Sequence, residues 1–208
     1  MSRELDAARA LVKMLEENEQ EGKVRLSELK AGDVVKTPFG DLIVLGHLEH
    51  GTKVISKGFV KKNVRFGNNS PDINKSEIKN LLSGEVLEMF EKEFGAENIV
   101  EETTALTTVD MQKDYGTYTG KIRLLTFDEA REFNELLVNE ELPGWYWTMT
   151  PWSTKERGWD YSVTVVSPSG SIDDLDCYGG RGVRPFCILK SDIFVSKGKI
   201  DNEKHEIF

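Results

Sequence analysis

All four tryptophans of this chain lie between residues 145 and 159, and the segment they open constrains the fold more than any other. Trp145, Trp147 and Met149 alternate with Tyr146, Thr148 and Thr150, which is the period of a strand with one apolar face. Pro151 ends that strand or places it at a bulge. Residues 152–160 are polar and read as a loop, and Tyr161–Val166 alternates again. Ser167-Pro168-Ser169-Gly170 is a turn, residues 173–180 read as a loop or broken strand, and Val183–Leu189 is a short apolar strand closed by Cys187-Ile188-Leu189. A chain that puts so many large rings on short strands has to build a wall of core and hang a decorated surface on it.

The remainder supplies what packs on that wall. Leu5, Ala8, Val12 and Leu15 repeat at helical spacing within residues 2–22. They also fit a and d positions, so this segment packs on the domain or, as a second reading, joins copies of the chain into a homo-oligomer. Gly32 to Ser56 carries short apolar runs between turn clusters, the pattern of a small antiparallel meander. Asn74-Lys75-Ser76-Glu77 has capping-box spacing, with Asn74 as cap, ahead of a stripe from Ile78 to Phe94 that Ser83-Gly84 is expected to kink. Residues 99–110 are extended, residues 114–120 a loop, and residues 121–125 a strand. Thr126-Phe127-Asp128-Glu129 is a second capping box, opening a helix that buries Ala130, Phe133, Leu136 and Leu137. The division expected is an N-terminal helix at 1–24, an α+β domain at 25–195 and a frayed tail at 196–208.

Charge and cysteine content narrow the function. The formal net charge of −9 argues against nucleic acid as a partner. Lys53, Lys57, Lys61, Lys62 and Arg65 form the one basic concentration, and lysine-rich strand edges serve first to discourage edge pairing. No run is long and apolar enough to cross a bilayer, so no membrane is expected. The first residues lack the basic and apolar regions of a secretory signal, which makes the cytoplasm, or a phage virion, the expected location. Cys177 and Cys187 are too few for a zinc site of their own and are expected to be unpaired.

No catalytic constellation is legible. His47 and His50 share a turn and His205 is remote, there is no phosphate-binding glycine loop, and no cofactor is expected. Asp173, Asp174 and Asp176 offer hard oxygens to calcium, but a solvated loop explains them better, and any metal remains open. Candidate binding residues are Trp152, Trp159, Tyr161, Tyr178 and Arg181, because aromatic and arginine side chains carry most interface energy, together with Asp173, Asp174 and Asp176. Trp147, Arg184 and Pro185 read as scaffold. An arginine in an apolar closing strand has to be held by a carboxylate or by backbone carbonyls.

The ordered set Gly32-Asp33, the Asn74–Phe94 helix, Leu124-Leu125-Thr126-Phe127-Asp128-Glu129-Ala130, Trp145–Pro151 and Gly182-Val183-Arg184-Pro185 resembles a bacterial and phage family known as a domain of unknown function. The closing half is also similar to the C-type-lectin-like fold of formylglycine-generating enzymes and of the hypervariable receptor proteins of diversity-generating retroelements. The resemblance covers residues 30–195. It implies C-type-lectin-like mixed antiparallel sheets with two packed helices, and a ligand face at residues 152–181. Met149, Ile78-Lys79 and Leu82-Ser83 depart from the family pattern. Cys177 and Cys187 are spaced too widely for the copper-holding pair of formylglycine-generating enzymes, and the lectin calcium tripeptide is absent, so neither chemistry is carried over. The expectation is a non-enzymatic binding protein with a protein or glycan partner. The alternatives are a phage-encoded inhibitor that occupies a basic site on a host defence protein, and an enzyme whose site is not recognisable.

Overall fold

The continuous apolar run Leu42-Ile43-Val44-Leu45 is explained by where its strand lies. Successive residues of a strand face opposite ways; Leu42 and Val44 enter one hydrophobic cluster, Ile43 and Leu45 another. A sheet covered on both faces needs no polar alternation. The same division holds for Val54 and Ile55, and for Cys187 and Leu189 against Phe186 and Ile188.

The computed structural model describes residues 22–198, and the expected N-terminal helix and most of the expected tail lie outside them. The described chain is α+β, with mostly antiparallel sheets and few helices. In chain order the strands are β1 (Lys23–Arg25), β2 (Val34–Lys36), β3 (Leu42–Leu48), β4 (Gly51–Ser56), β5 (Lys61–Arg65), β6 (Ile99–Val100), β7 (Glu102–Ala105), β8 (Thr117–Gly120) and β9 (Ile122–Arg123). They continue as β10 (Tyr146–Pro151), β11 (Ser162–Val166), β12 (Ile172–Asp176), β13 (Gly180–Val183), β14 (Phe186–Leu189) and β15 (Phe194–Lys197). An eight-stranded sheet runs β1-β15-β2-β3-β4-β14-β6, with β9 also on β14; a five-stranded sheet runs β12-β11-β10-β13-β5; β7 and β8 form a separate arm. The Gly32–Ser56 meander expected from the sequence is present as β2, β3 and β4.

Ser196 and Lys197, expected in a frayed tail, lie in a strand. Ser196 and Lys197 extend β15 and pair with β2, while Phe194 to Ser196 pair with β1, so the ends of the described chain are joined edge to edge. The segment 114–120 is likewise not all loop: Thr117–Gly120 pairs with Glu102–Ala105, and the Thr103 and Thr119 hydroxyls meet at 2.8 Å.

Helix α1 (Glu77–Leu81) and helix α2 (Leu87–Phe94) are joined by a wide turn at Leu82–Val86. Ile78, Leu82, Val86, Phe90 and Phe94 are buried, a strict four-residue spacing. Each such step overshoots a full helical turn by about 40°, and one wider turn brings the drifting stripe back to the core. Gly84 supplies it, with φ −112° and ψ −107°, at the kink expected from Ser83-Gly84. The cap is Ser76 rather than Asn74. Ser76 Oγ accepts from Lys79 N–H at 3.0 Å, while the Asn74 amide reaches across to Thr117 O at 2.9 Å. A 3₁₀ turn at Ile73–Lys75, capped by Asp72, displaces the helix start by two residues.

Helices α3 (Phe127–Glu132) and α4 (Asn134–Leu137) cover the other face of the eight-stranded sheet with Ala130 and Leu137. Here the expected capping box is formed in full. Glu129 N–H donates to Thr126 Oγ1 at 3.2 Å and Thr126 N–H donates to Glu129 Oε2 at 3.0 Å.

Gly182-Val183-Arg184-Pro185 carries the chain from one sheet to the other. Gly182 N–H donates to Trp145 O at 3.0 Å, in the one parallel contact between β10 and β13. A Cβ on Gly182 would enter the Phe59 ring, so the close approach requires glycine. Pro185 O accepts from Ser56 N–H at 2.9 Å, which docks the crossing on β4.

Candidate binding groove at the edge of the second sheet

Strand β12 is an edge of the five-stranded sheet, and its register with β11 decides what it shows to solvent. Ser162 lies opposite Asp176, Thr164 opposite Asp174 and Val165 opposite Asp173. Asp174 and Asp176 therefore share one face, while Asp173 shares the opposite face with Leu175. The three aspartates, in a segment expected to be a loop or broken strand, stand on a strand. Alternation separates Asp173 from the others, and among the described residues no group of three His, Cys, Asp or Glu is placed to hold a metal ion.

The hydrogen bonds Cys177 N–H to Tyr161 O and Ser167 N–H to Ser171 O bracket the β11–β12 ladder. By the alternation of antiparallel pairing, the backbone groups of Asp174 and Asp176 point outward. Part of this edge is satisfied locally: Asp174 N–H donates to Asp173 Oδ1 at 2.9 Å, and Asp176 O accepts from Gly179 N–H at 3.1 Å. Such caps protect an edge against strand addition.

Beyond this edge lies a groove of about 520 Å³. Trp159, Tyr161, Ser162, Asp174, Leu175, Asp176, Tyr178, Gly179 and Arg181 line it. Six of the eight residues singled out as binding candidates meet here: Trp159, Tyr161, Asp174, Asp176, Tyr178 and Arg181. Trp159 is 45% exposed and Tyr178 44%, which places both rings at the mouth. The Trp159 and Tyr161 rings are 5.9 Å apart and tilted by 33°. Trp152 does not line the groove; it is half-buried, with its N–H on Ser162 O at 2.9 Å. Asp173 is exposed on the other face. Ser162, Leu175 and Gly179 could not be singled out in the sequence, because the β11–β12 pairing brings the first two to the groove and the turn after β12 brings Gly179.

The loop carrying Trp159 is anchored. Gly158 takes φ +80° after a 3₁₀ turn at Lys155–Arg157, and Trp159 N–H returns to Thr154 O at 3.1 Å. Asp110 accepts from Ser153 Oγ at 2.7 Å and pairs with Arg157 at 3.2 Å, while Tyr115 donates its hydroxyl to Ser153 O at 3.1 Å. The hydroxyls of Thr108 and Ser153, helped by Arg157, hold the Asp110 carboxyl below its ordinary value. A depressed folded pKa contributes stability that is present above the unfolded pKa and is lost as pH falls through the folded one. The Trp159 indole resonance is therefore expected to shift on acidification below about pH 4. Asp110→Asn should show no such step, and an identical step in that variant would remove Asp110 as the anchor.

Charge at the groove is predominantly negative. Among the described residues Asp160, Asp173, Asp174 and Asp176 have no cationic partner within 4 Å, whereas Asp33, Asp41, Asp72, Asp110 and Asp128 each have one. Partial desolvation, then the charges of Asp176 and others including Asp160, raise the Tyr178 hydroxyl. Desolvation, then Asp160, Asp72, Asp114 and Glu156, push Tyr115 up to about 12. Arg181 is turned toward the sheet: its guanidinium lies 5.9 Å from the Trp147 ring centre and donates to Gly180 O at 2.7 Å.

Behind the groove stand the residues read as scaffold. Trp147 is 1% exposed, donates Nε1–H to Val64 O at 2.8 Å and meets Phe66 edge-on at 5.5 Å. Arg184, also 1% exposed, donates Nε–H to Ser56 O at 2.9 Å and Nη1–H to Leu137 O at 3.2 Å, and lies 4.7 Å over the Tyr146 ring. Its partners are carbonyls and a ring face, and burial lowers its pKa. Pro185 is buried beside it.

Comparison with protein-family models, with curated proteins and with solved structures finds no match in any of the three.

Elsewhere, Cys177 and Cys187 are free and buried, and burial raises both thiols. His47 bridges Thr52 Oγ1 at 2.8 Å and Leu29 O at 2.7 Å, a structural arrangement, and His50 lies 4.0 Å from Glu102. A cavity of about 280 Å³ beside β1 and β15 gathers none of the binding candidates. Among the described residues no helix is long and apolar enough to cross a membrane.

Proposed function

We propose that this chain is a non-enzymatic binding protein with a C-type-lectin-like α+β fold, and that it presents the groove to a protein or glycan partner. The observation that carries this reading is the convergence of Trp159, Tyr161, Asp174, Asp176, Tyr178 and Arg181 on one open groove, with two large rings about half exposed. Exposed aromatic rings beside polar groups are the common anchors of interfaces. The groove also belongs to the segment between the tryptophan strand and the closing Gly-Val-Arg-Pro crossing, which is the ligand face that the resemblance implies. A bacterial or phage origin, in the cytoplasm or a virion, goes with this reading.

The test is to probe glycan and peptide arrays with the labelled full chain, then to map hydrogen exchange with any captured member bound. Slowed exchange in residues 158–162 and 174–181 is expected. Protection confined to β5 or to the β1–β15 edge would place the binding surface elsewhere. A second reading, the inhibitor that occupies a basic site on a host defence protein, draws support from the uncompensated carboxylates at the same edge.

A further inference from the structure

We infer that the groove is built to receive a cationic side chain, lysine or arginine, from a partner protein. The inference rests on the groove being the binding surface and adds the chemistry of its occupant. Trp159 and Tyr178 offer exposed rings at the mouth, and Asp174 and Asp176 stand on one face of β12 with no cation within 4 Å among the described residues. A cation over an aromatic ring is attracted to its face, and adjacent carboxylates add direct pairing. Arg181 keeps its positive charge in the groove, but it is held by Gly180 O and lies 5.9 Å from the Trp147 ring centre, and it makes no ion pair with Asp174 or Asp176, so the two carboxylates outnumber it. Asp160, next to Trp159 and close enough to act on the Tyr178 hydroxyl, adds to the negative field around the rings. An anionic ligand meets the Asp174 and Asp176 carboxylates here. Strand addition at β12 meets the local caps on Asp174 N–H and Asp176 O, so recognition falls to side chains.

The experiment uses the full chain and an array of synthetic Gly-Ser peptides carrying one to four arginines or lysines, with glutamine and glutamate counterparts and a panel of neutral glycans. Capture of the arginine or lysine peptides is expected, weakening about tenfold from low to high salt because the pairs are partly exposed. Asp174→Asn with Asp176→Asn is expected to weaken capture about tenfold at an unchanged melting temperature. No capture of cationic peptides, or undiminished capture by that double variant, overturns the inference. Capture of a neutral ligand alone, abolished by Trp159→Ala, overturns the cation assignment while leaving the groove as the binding surface. Capture that survives Trp159→Ala for every member overturns both.

Discussion

Trp147→Ala is expected to lower unfolding stability by about 3–5 kcal/mol, the range for deleting a buried tryptophan. The side chain is 1% exposed and belongs to the cluster between the two large sheets, so its removal leaves a cavity that strands on both sides resist closing. Its Nε1–H also holds Val64 O at 2.8 Å, which ties edge strand β5 to the core. Trp147→Phe keeps most of the ring volume but orphans that carbonyl, and should lose less than the alanine variant. Equilibrium urea denaturation measures both. A loss below about 1 kcal/mol for Trp147→Ala would contradict its role as scaffold.

Arg123→Ala should destabilise to a similar degree, about 3–5 kcal/mol, because it strands a carboxylate whose side chain is only 12% exposed. Arg123 is 5% exposed and grips Glu129 with both terminal nitrogens, at 2.6 and 2.7 Å, while reaching Glu102 at 3.3 Å and lying 4.0 Å over the Phe186 ring. Burial acts to raise Glu129, but the hydrogen bonds and charge of Arg123, with those of Thr126, outweigh it and hold the carboxyl below its ordinary value. The folded pKa is therefore depressed. Its contribution is fully present above the unfolded value of about 4.3 and is lost as pH falls through the folded value. Arg123→Met with Glu129→Leu removes both charges and should recover much of the loss of the single variant. It does not recover all, because Glu129 also closes the capping box at Thr126, worth about 1 kcal/mol. Denaturation at pH 7 and at pH 3 separates the two effects: the wild-type protein should weaken between them by more than the double variant. Equal losses would remove the ion pair as the cause.

What could be read from the sequence was what local chemistry decides. The Ile78–Phe94 stripe, the kink at Gly84 and the Thr126–Glu129 box are governed by residues within a few positions of one another. The alternation of Trp145–Thr150 announced a strand for the same reason. What escaped depends on pairing across long separations. Asp173, Asp174 and Asp176 have little intrinsic preference for a strand, and β12 exists because β11 supplies a ladder and Leu175 joins the core. Thr117–Gly120 read as a loop because its partner, β7, lies on the far side of an intervening segment. Ser76 displaced Asn74 as a cap because Asn74 is drawn off to Thr117.

The groove was half legible. Aromatic and arginine content pointed to Trp159, Tyr161, Tyr178 and Arg181, and the structure sets these around one opening. Composition could not separate Trp152, half-buried against the sheet, from Trp159, nor Asp173 from its two neighbours. The second follows from the β11–β12 register, the first from the anchored loop that carries Trp159.

The central claim is that the tryptophan strand and the closing crossing hold the fold while the edge between them meets a partner. The most direct measurement is urea denaturation and array capture, made side by side on the double variant Trp159→Ala, Tyr178→Ala. Both rings are about half exposed, so stability should stay within about 1 kcal/mol of wild type while capture is lost. A loss of several kcal/mol would return these rings to the core, and undiminished capture at full stability would move the working surface away from this edge.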